Sequence, residues 1–271
     1  MPFTYKLKKT LVAGTRYTAE PDKLYVIKKV GTNSTTNIAS LDVAGVKCLE
    51  MVQELGRLNP TQFIWYDLYE LGDYFIVVPP DKEFGFTGDS ASKMIIEGDI
   101  VELAPREPIP AALERRLAEQ GKSYIKVQRG SYNHGTGTAW AADYEATVLT
   151  LTCGAGERHL FDSRLYFSLA NQSAVHAAGD WALRIYYQDK PLDILKATMG
   201  KFGIDVWNMF WNDGTNYYYY PMELSDMPIQ LEPGRTLKIN LRNVSGASKS
   251  PASGTALIAT VALIDKYLML P

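Results

Sequence analysis

The sequence predicts an all-β protein in which helix is confined to two or three short segments. Three observations favour this class. Apolar residues recur at every second position in many segments, turn motifs separate those segments, and the composition is rich in tyrosine, with 17 Tyr against 9 Phe and 5 Trp. A period of two is typical of a strand with one buried face, and tyrosine is enriched in strands.

Alternation marks the individual strands. In the segment 236–242, leucine and isoleucine alternate with lysine, asparagine and arginine, which predicts a half-buried strand. The segments 164–169 and 183–188 alternate in the same way. The segments 147–152 and 255–264 are apolar or rich in threonine at both kinds of position, as expected for strands that are covered on both faces.

Turn motifs fall between the predicted strands. The motif EPGR at 232–235 has proline and glycine where a type II turn requires them, and NDGT at 212–215 predicts a tight hairpin. A Leu-Gly-Asp motif at 71–73 predicts a second hairpin. Two segments rich in glycine, serine and threonine, 130–142 and 244–254, lack periodicity and are predicted to be loops.

Helical segments are few. Residues 111–120 are strong helix formers that follow Pro110 and precede Gly121, residues that suit the first turn and the C′ position of a helix. The segments 42–55 and 192–199 are predicted to be two further short helices. The first has an apolar stripe at helical spacing, and the second ends at a glycine.

Three prolines in the segment 104–110 disfavour both helix and a strand ladder and mark a domain boundary. We therefore predict a smaller β-rich domain at 1–109, a helix and linker at 110–121, and a larger domain at 122–271. The larger domain contains about eight predicted strands, which is the size of a jelly-roll-like antiparallel β-sandwich.

Composition and charge argue against several functional classes. The net charge is −2 and neither half of the chain concentrates positive charge, so no specific binding of nucleic acid is expected. The N-terminus lacks the apolar stretch of a secretory signal, and no segment has the ~20 apolar residues that span a bilayer, which predicts synthesis in the cytoplasm. Cys48 and Cys153 lie in apolar stretches and are predicted to be buried free thiols.

A basic segment lies near the N-terminus. Lys6, Lys8 and Lys9 are predicted to form a solvated arm, and an acidic partner or an anionic membrane is the candidate for a contact with it.

Catalytic signatures are missing from the sequence. No nucleophile elbow, phosphate-binding loop or dinucleotide motif occurs, and His134, His159 and His176 lack the spacing of metal ligands. We therefore predict that the protein is not an enzyme and uses no metal or cofactor. A glycoside hydrolase stays a minor alternative, because two carboxylates can be brought together from distant positions. The acidic residues nearest to aromatic residues are Asp67, Glu70, Asp73, Asp205 and Asp213.

An aromatic cluster surrounds the predicted hairpin at 212–215. Its members are Trp207, Phe210, Trp211, Tyr217, Tyr218, Tyr219 and Tyr220. On strands, Trp207 and Trp211 would point the same way, so one set of rings enters the core while the other faces elsewhere. The second set is either covered within the fold, buried in a protein–protein interface, or used to stack sugar rings. We predict an interface for self-association.

One family resemblance rests on the second half of the chain. The sequence YPMELSDMPIQLEPGRTLKINLRNVSGASKSPASGTALIATVALI resembles the closing strands of β-sandwich domains in virion proteins and in carbohydrate-binding modules. With the strand number and the missing active-site motifs, residues 122–271 are similar to a jelly-roll major coat protein of tail-less icosahedral phages with an internal membrane.

This resemblance implies a structural virion protein, a capsid building block that self-assembles through its sandwich faces and the aromatic hairpin. Its implied partners are copies of itself, other coat proteins and the internal membrane, and its implied location is the virion after synthesis in the host cytoplasm. The rival from another class is a carbohydrate- or receptor-binding β-sandwich module, in which the hairpin would contact sugar rings.

Overall fold

The computed structural model describes residues 3–56, 67–105, 107–174, 176–192, 203–212 and 217–271. Strands dominate these residues, and they contain a single α-helix besides two short 3-10 helices. The predicted all-β class is therefore confirmed. No helix in the described part of the chain is long and apolar enough to cross a membrane.

The chain divides into two compact units. The first comprises Met1–Val127 and Lys266–Leu270, and the second comprises Gln128–Asp265 with the terminal proline. The predicted domains at 1–109 and 122–271, with 110–121 between them, stay a prediction, because a domain is defined by its ability to fold alone.

The first unit contains two antiparallel sheets. Its strands are β1 (Phe3–Val12), β2 (Arg16–Thr18), β3 (Lys23–Thr32), β4 (Ala39–Val43), β5 (Val46–Met51), β6 (Tyr69–Glu70), β7 (Ile76–Val78), β8 (Glu83–Thr87) and β9 (Lys93–Glu102). One sheet has the order β1-β9-β3-β6, with β7 also paired to β3, and the other has the order β5-β4-β8-β2. The rings of Tyr25 on β3 and Phe84 on β8 meet edge to face at 5.9 Å, so these sheets pack against each other.

Helix α1 (Ala111–Glu119) covers the outer face of the first sheet, as predicted for 111–120. Its residues Leu113 and Leu117 pack on a buried cluster that includes Leu24, Val26 and Val101. The helix ends before Gly121, whose φ of +82° is the left-handed conformation that favours glycine there.

The predicted helix at 42–55 is wrong, because β4 and β5 form a hairpin in this region. Its turn residues Ala44 and Gly45 both have positive φ, as in a type I′ turn. Four successive residues of β5, 48–51, are buried, so both faces of the strand are covered and its alternation is hidden. The other predicted helix, 192–199, lies outside the described residues except for Leu192.

The second unit is built from the remaining strands, except that residues 123–127 of β10 and 266–269 of β22 belong to the first unit. They are β10 (Ser123–Thr136), β11 (Glu145–Thr152), β12 (Glu157–Phe161), β13 (Arg164–Ala170), β14 (Trp181–Tyr187), β15 (Lys190–Pro191), β16 (Ile204–Asp205), β17 (Phe210–Asn212), β18 (Tyr217–Tyr219), β19 (Met222–Glu223), β20 (Ile229–Leu231), β21 (Thr236–Asn243) and β22 (Ala256–Met269). The five strands predicted from their residue pattern, at 147–152, 164–169, 183–188, 236–242 and 255–264, are all present.

The pairing order of these strands is that of a jelly roll. β12 and β13 pair successively with β22 and act as one interrupted strand, and their outer partners β20 and β19 act as another. Numbered 1 to 8 in chain order, the eight strands are β10, β11, β12 with β13, β14, β16, β19 with β20, β21 and β22. They form two sheets with the orders 1-8-3-6 and 2-7-4-5. Two interlocked Greek keys produce this order.

The core of the second unit lies between its two sheets. Leu237, Ile239 and Leu241 of β21 are fully buried, as the alternation predicted, and they belong to one cluster with Leu165 and Phe167 of β13. Trp140 and Trp181 are the largest buried side chains and meet edge to face at 5.3 Å.

Three turn and loop predictions have different outcomes. The turn at 232–235 is confirmed, since Arg235 N–H donates to the Glu232 carbonyl and Gly234 has a φ of +72°. The loop predicted at 130–142 is wrong for its first half, because β10 continues to Thr136. The second predicted hairpin, at 71–73, is also wrong. β6 and β7 each pair with β3 and are separated by a 3-10 helix.

Candidate functional site

The aromatic hairpin predicted around 212–215 is present. β17 and β18 pair antiparallel, with Phe210 opposite Tyr219 and Asn212 opposite Tyr217, while the turn itself lies outside the described residues. The side chains of Phe210, Trp211, Tyr217 and Tyr218 are also outside the described part, so their place in an interface stays a prediction.

Trp207 does not lie on a strand of this hairpin. Residues Val206–Met209 form a 3-10 helix, and the Asp205 carboxylate accepts a hydrogen bond from the Trp207 N–H at 3.0 Å, which caps the turn. The predicted shared face of Trp207 and Trp211 on one strand is therefore wrong. The Trp207 residue is 41% exposed, which is unusual for tryptophan.

Tyr219 faces the core of the sandwich. Its hydroxyl donates to the Leu169 carbonyl at 2.9 Å, and its ring meets that of Phe167 at 6.3 Å. Tyr220 is half-buried, and its N–H donates to the Met209 carbonyl. Of the described members of the aromatic cluster, Tyr219 thus anchors the hairpin while Trp207 faces outward.

The His176 ring contacts both the outward-facing ring of Trp207 and the inward-facing ring of Tyr219. Its imidazole lies 6.1 Å from the Trp207 ring and 6.2 Å from the Tyr219 ring, between centroids. The Gln172 amide nitrogen lies 3.2 Å from Nδ1, which suits a neutral ring that accepts there. Burial lowers the pKa of His176, so the imidazole is neutral near neutral pH and packs as an aromatic group.

Three loops meet at one end of the sandwich, which we call the loop end: segments 137–144, 171–174 with 176–180, and 244–255. Trp140 and Lys249 exchange both backbone hydrogen bonds, and Ala252 N–H donates to the Asn171 carbonyl at 2.7 Å. The Lys249 ammonium also binds the Asp180 carboxylate at 2.7 Å. These contacts tie the loops to one another, so the loop end is a braced surface.

A second aromatic cluster at the loop end was not predicted. His134 stacks on Trp140 at 4.7 Å with an interplanar angle of 25°, and Tyr144 lies 5.2 Å from His134. The hydroxyls of Tyr132 and Tyr144 lie 3.1 Å apart, and this hydrogen bond is the main reason that the pKa of Tyr132 rises to about 12. Tyr144 is 42% exposed, whereas Trp140 is fully buried.

One sequence signal could have revealed this cluster. Tyr132 and His134 are two residues apart, so they share a face if the segment is a strand. The surrounding glycines favoured a loop instead.

The predicted basic arm is part of a sheet. Lys6, Lys8 and Lys9 lie on β1, which pairs with β9 along its whole length. Lys6 binds Asp99 at 3.3 Å and Lys8 binds Glu97 at 2.9 Å. Lys9 lies over the ring of Tyr17 at 4.8 Å and over that of Phe84 at 5.6 Å. A contact of these lysines with a membrane or partner stays a prediction.

His159 forms a buried pair with Asp265. Its Nδ1 lies 2.6 Å from the Asp265 carboxylate, which also accepts a hydrogen bond from the Gln128 amide at 2.8 Å. The side chains of His159 and Asp265 are almost completely buried, so a substrate cannot reach them in this conformation. In an open cleft such a His–Asp dyad would suggest acid–base chemistry. In this protein the dyad cross-links β12, β22 and β10.

Two of the predicted carboxylate suspects have separate surroundings. Glu70 binds Lys29 in the first unit. Asp205, in the second unit, caps the N–H groups of Gly179 and Trp207. Asp213 lies outside the described residues. In the described part of the chain no group of three or more His, Cys, Asp or Glu side chains could hold a metal ion.

The two thiols are free and buried, as predicted. Burial is the main reason that the pKa of Cys48 rises to about 11 and that the pKa of Cys153 also rises. Neither thiol is therefore activated as a nucleophile in this environment.

No protein-family model matches the sequence, and no curated protein matches it. Several solved structures show a faint likeness. One is a β-porphyranase of glycoside hydrolase family 86 from the human gut bacterium Bacteroides plebeius, with 9% identity and a TM-score of 0.24, over 97% of this chain and 35% of that one. The chain thus spans about a third of that enzyme's length.

Two of the faintly similar structures are viral. A turret protein of Sulfolobus turreted icosahedral virus has 9% identity and a TM-score of 0.19, over 98% of this chain and all of that one. The structure of the infectious bursal disease virus Gt strain has 9% identity and a TM-score of 0.23, over 100% of this chain and 77% of that one. At these scores the likeness carries no argument about fold or function.

Proposed function

We propose that this chain is a structural coat protein, a building block that self-associates through the sandwich of its second unit, with the loop end as the main contact surface. The observation that carries the proposal is the braced loop end of a jelly roll, where Trp207 stands exposed beside loops that are already fixed. A surface ordered before binding loses little conformational entropy when it associates. Tryptophan is also among the residues that contribute most to interfaces.

The proposal extends to partners and location. Copies of the same chain and other coat proteins are the partners, and the virion is the location after synthesis in the host cytoplasm. The outer face of the β11-β21-β14 sheet offers a further contact area. Its Glu145 carboxylate accepts from the Tyr186 hydroxyl at 2.6 Å and from Arg184 at 2.9 Å, so this face is ordered as well. No catalytic step forms part of this function.

The experiment replaces Trp207 with alanine and measures self-association by sedimentation at several concentrations. About 100 Å² of indole surface is available to a neighbour, which corresponds to roughly 2–3 kcal/mol of gross hydrophobic energy. We expect Trp207→Ala to weaken association on the order of tenfold and to leave the melting temperature nearly unchanged.

Met269→Ala is the matched control, because Met269 is an equally exposed apolar side chain outside the second unit. It should leave association unchanged. A protein that stays monomeric at high concentration, or association that is insensitive to Trp207→Ala, would count against the proposal.

A second function is favoured by one observation, the exposed Tyr144 with the Tyr132 hydroxyl beside it. Rings with adjacent hydroxyls can stack on a sugar and hydrogen-bond its edge. A screen of the native protein against a glycan panel tests this function. Binding that is lost in Tyr144→Ala, without any change in association, would make carbohydrate binding the main role.

A further inference from the structure

The outer edge of β1 is open in the part of the chain that the structure describes. β1 is the terminal strand of the sheet β1-β9-β3-β6, and its ten residues pair with β9 from Phe3 opposite Glu102 to Val12 opposite Lys93. No described strand pairs with its other side. An edge of this length is a template for an added strand unless it is protected.

The register shows which backbone groups face this edge. Ala13 N–H donates to the Ser92 carbonyl, which continues the register of β1 and β9 as a hydrogen-bonded pair. Such pairs alternate along an antiparallel ladder, so the odd-numbered residues of β1 bond to β9 and the even-numbered residues 4–10 point their N–H and C=O groups outward. Val12 N–H, the next even-numbered group, donates to the Tyr17 hydroxyl instead of β9.

The side chains of β1 differ between its two faces, and Lys9 shares the face of Phe3 and Tyr5. Lys6 and Lys8 are on one face, and the Lys6 side chain is 93% exposed. Phe3 and Tyr5 are on the other face, where they are 73% and 51% exposed. A strand added here would therefore meet lysines on one side and apolar rings on the other.

A hollow of about 340 Å³ adjoins the basic side. Its lining comprises Lys6, Leu7, Lys8, Lys28, Lys29, Glu97, Gly98 and Asp99. These four lysines form ion pairs with three carboxylates, those of Glu97 and Asp99 and that of Glu70 nearby, so positive charge is in excess by one. A β-bulge between Ile27 and Lys29 inserts Lys28, which brings two consecutive lysines to the same hollow. Gly98 permits this geometry, because a Cβ there would lie 1.9 Å from the Val26 carbonyl oxygen.

We propose that the edge of β1 binds an extended acidic segment of another protein, a strand in which Asp or Glu alternates with apolar residues. The acidic side chains lie opposite Lys6 and Lys8 and reach into the lysine-rich hollow, while the apolar side chains cover Phe3 and Tyr5. Main-chain hydrogen bonds to the even-numbered residues supply affinity, and the alternate side chains supply specificity.

Charge selects this occupant over a second copy of β1. Two copies paired antiparallel through this edge would bring lysines close to lysines, and like charges that face each other across strands are unfavourable. The salt bridges of Lys6 and Lys8 do not prevent binding, because exposed ion pairs contribute little and rearrange readily. The inference concerns the first unit alone and does not depend on the proposed coat function.

The test uses a capped ten-residue synthetic peptide that alternates glutamate and valine, titrated into the native protein by calorimetry. A peptide of the same composition with its glutamates in one block is the peptide control. We expect the alternating peptide to bind, more weakly at high salt, and the block peptide not to bind. Lys6→Glu and Lys8→Glu should each weaken binding about tenfold, and Lys82→Glu, an exposed lysine elsewhere in the same unit, should not.

Two further variants sharpen the test. Lys8→Pro removes an outward N–H without loss of a bond to β9 and should abolish binding while the melting temperature is kept. The double variant Lys6→Glu with Lys8→Glu should bind a lysine–valine peptide instead. The proposal is overturned if the native protein does not bind the alternating peptide, if Lys8→Pro leaves binding unchanged, or if sedimentation shows dimers that Lys8→Pro dissociates. The last result would assign the edge to a second copy.

Discussion

A single buried side chain, Asn243, connects distant parts of the loop end. Its amide nitrogen lies 3.1 Å from the Trp140 carbonyl, 3.0 Å from that of Ala141 and 2.7 Å from that of Ala247. Its amide oxygen accepts hydrogen bonds from the N–H and hydroxyl of Ser245. The side chain thus joins segment 140–141 to segment 245–247 and leaves none of its own buried polar atoms without a partner.

We expect Asn243→Ala to lower the free energy of unfolding by about 2–4 kcal/mol, because the hydrogen bonds of this buried amide to three carbonyls and to Ser245 are lost at once. Urea unfolding followed by tryptophan fluorescence measures the change. Asn133→Ala is the control, since its exposed side chain accepts one local bond from Gly135 and should cost less than about 1 kcal/mol. Equal losses in both variants would show that Asn243 has no special role.

At the residue scale the sequence predicts faces but not partners. Alternation correctly placed Leu237, Ile239 and Leu241 in the core, because a strand has a fixed local period. The role of Asn243 depends on residues about a hundred positions away, which no local pattern encodes. The aromatic set shows the same limit, since Tyr219 faces inward and Trp207 outward for reasons of tertiary packing.

Among the elements, α1 is fastened to its sheet by one buried cation. Arg116 donates from Nε to the Phe75 carbonyl at 2.8 Å and from Nη2 to the Ser123 carbonyl at 2.9 Å. The planar guanidinium can serve both carbonyls in fixed directions, which an ammonium cannot do equally well. Leu113 and Leu117 supply the apolar contacts of the same helix.

Arg116→Ala should therefore destabilise the protein by about 2–4 kcal/mol, because buried carbonyls lose charge-assisted donors. Arg116→Lys should recover only part of this loss. Arg115→Ala is the matched control on the same helix, where the exposed side chain should contribute less than about 0.5 kcal/mol. Circular dichroism during urea titration gives all three values, and a neutral Arg116→Ala would contradict this account of the helix.

Elements were predictable where local signals dominate. Helix α1 has strong helix formers, a proline before it and a glycine after it, so its bounds follow from 111–120 almost unchanged. The helix predicted at 42–55 was wrong because residues 48–51 are buried on both faces of a strand. A strand that is covered on both faces does not alternate apolar with polar residues. The bulge that gathers Lys28 and Lys29 was equally hidden, since it depends on pairing with β9.

For the whole molecule, strand number suggested a jelly roll but could not give its pairing order. The order 1-8-3-6 joins the first and last strands of the second unit, and such a pairing is invisible to any window along the chain. The candidate site follows from the same fact. The three loops of the loop end meet only because the jelly roll brings their strand ends to one side, so the sequence could not predict this surface.

Both units contain carboxylates whose pKa is lowered by the fold. Hydrogen bonds from the N–H groups of Thr36 and its neighbours lower the pKa of Asp89, and a hydrogen bond from Lys28 lowers that of Asp99. Burial disfavours the ionised form of Glu145, but the Tyr186 hydroxyl, an asparagine and an arginine outweigh it and lower its pKa as well. These groups bind protons more weakly in the folded state than in the unfolded state.

Stability should consequently decrease in two stages as the pH is lowered. The carboxylates stabilise the fold fully above their unfolded pKa of about 4, and this contribution is lost as the pH falls through their folded values. His176 acts in the same direction at higher pH, because burial lowers its pKa and folding then disfavours the imidazolium below about pH 6.5. We expect a shallow decline of the melting temperature from pH 7 to 5 and a steep decline below pH 4. His176→Gln should flatten the shallow part alone, and an unchanged slope between pH 7 and 5 in that variant would refute the role of His176.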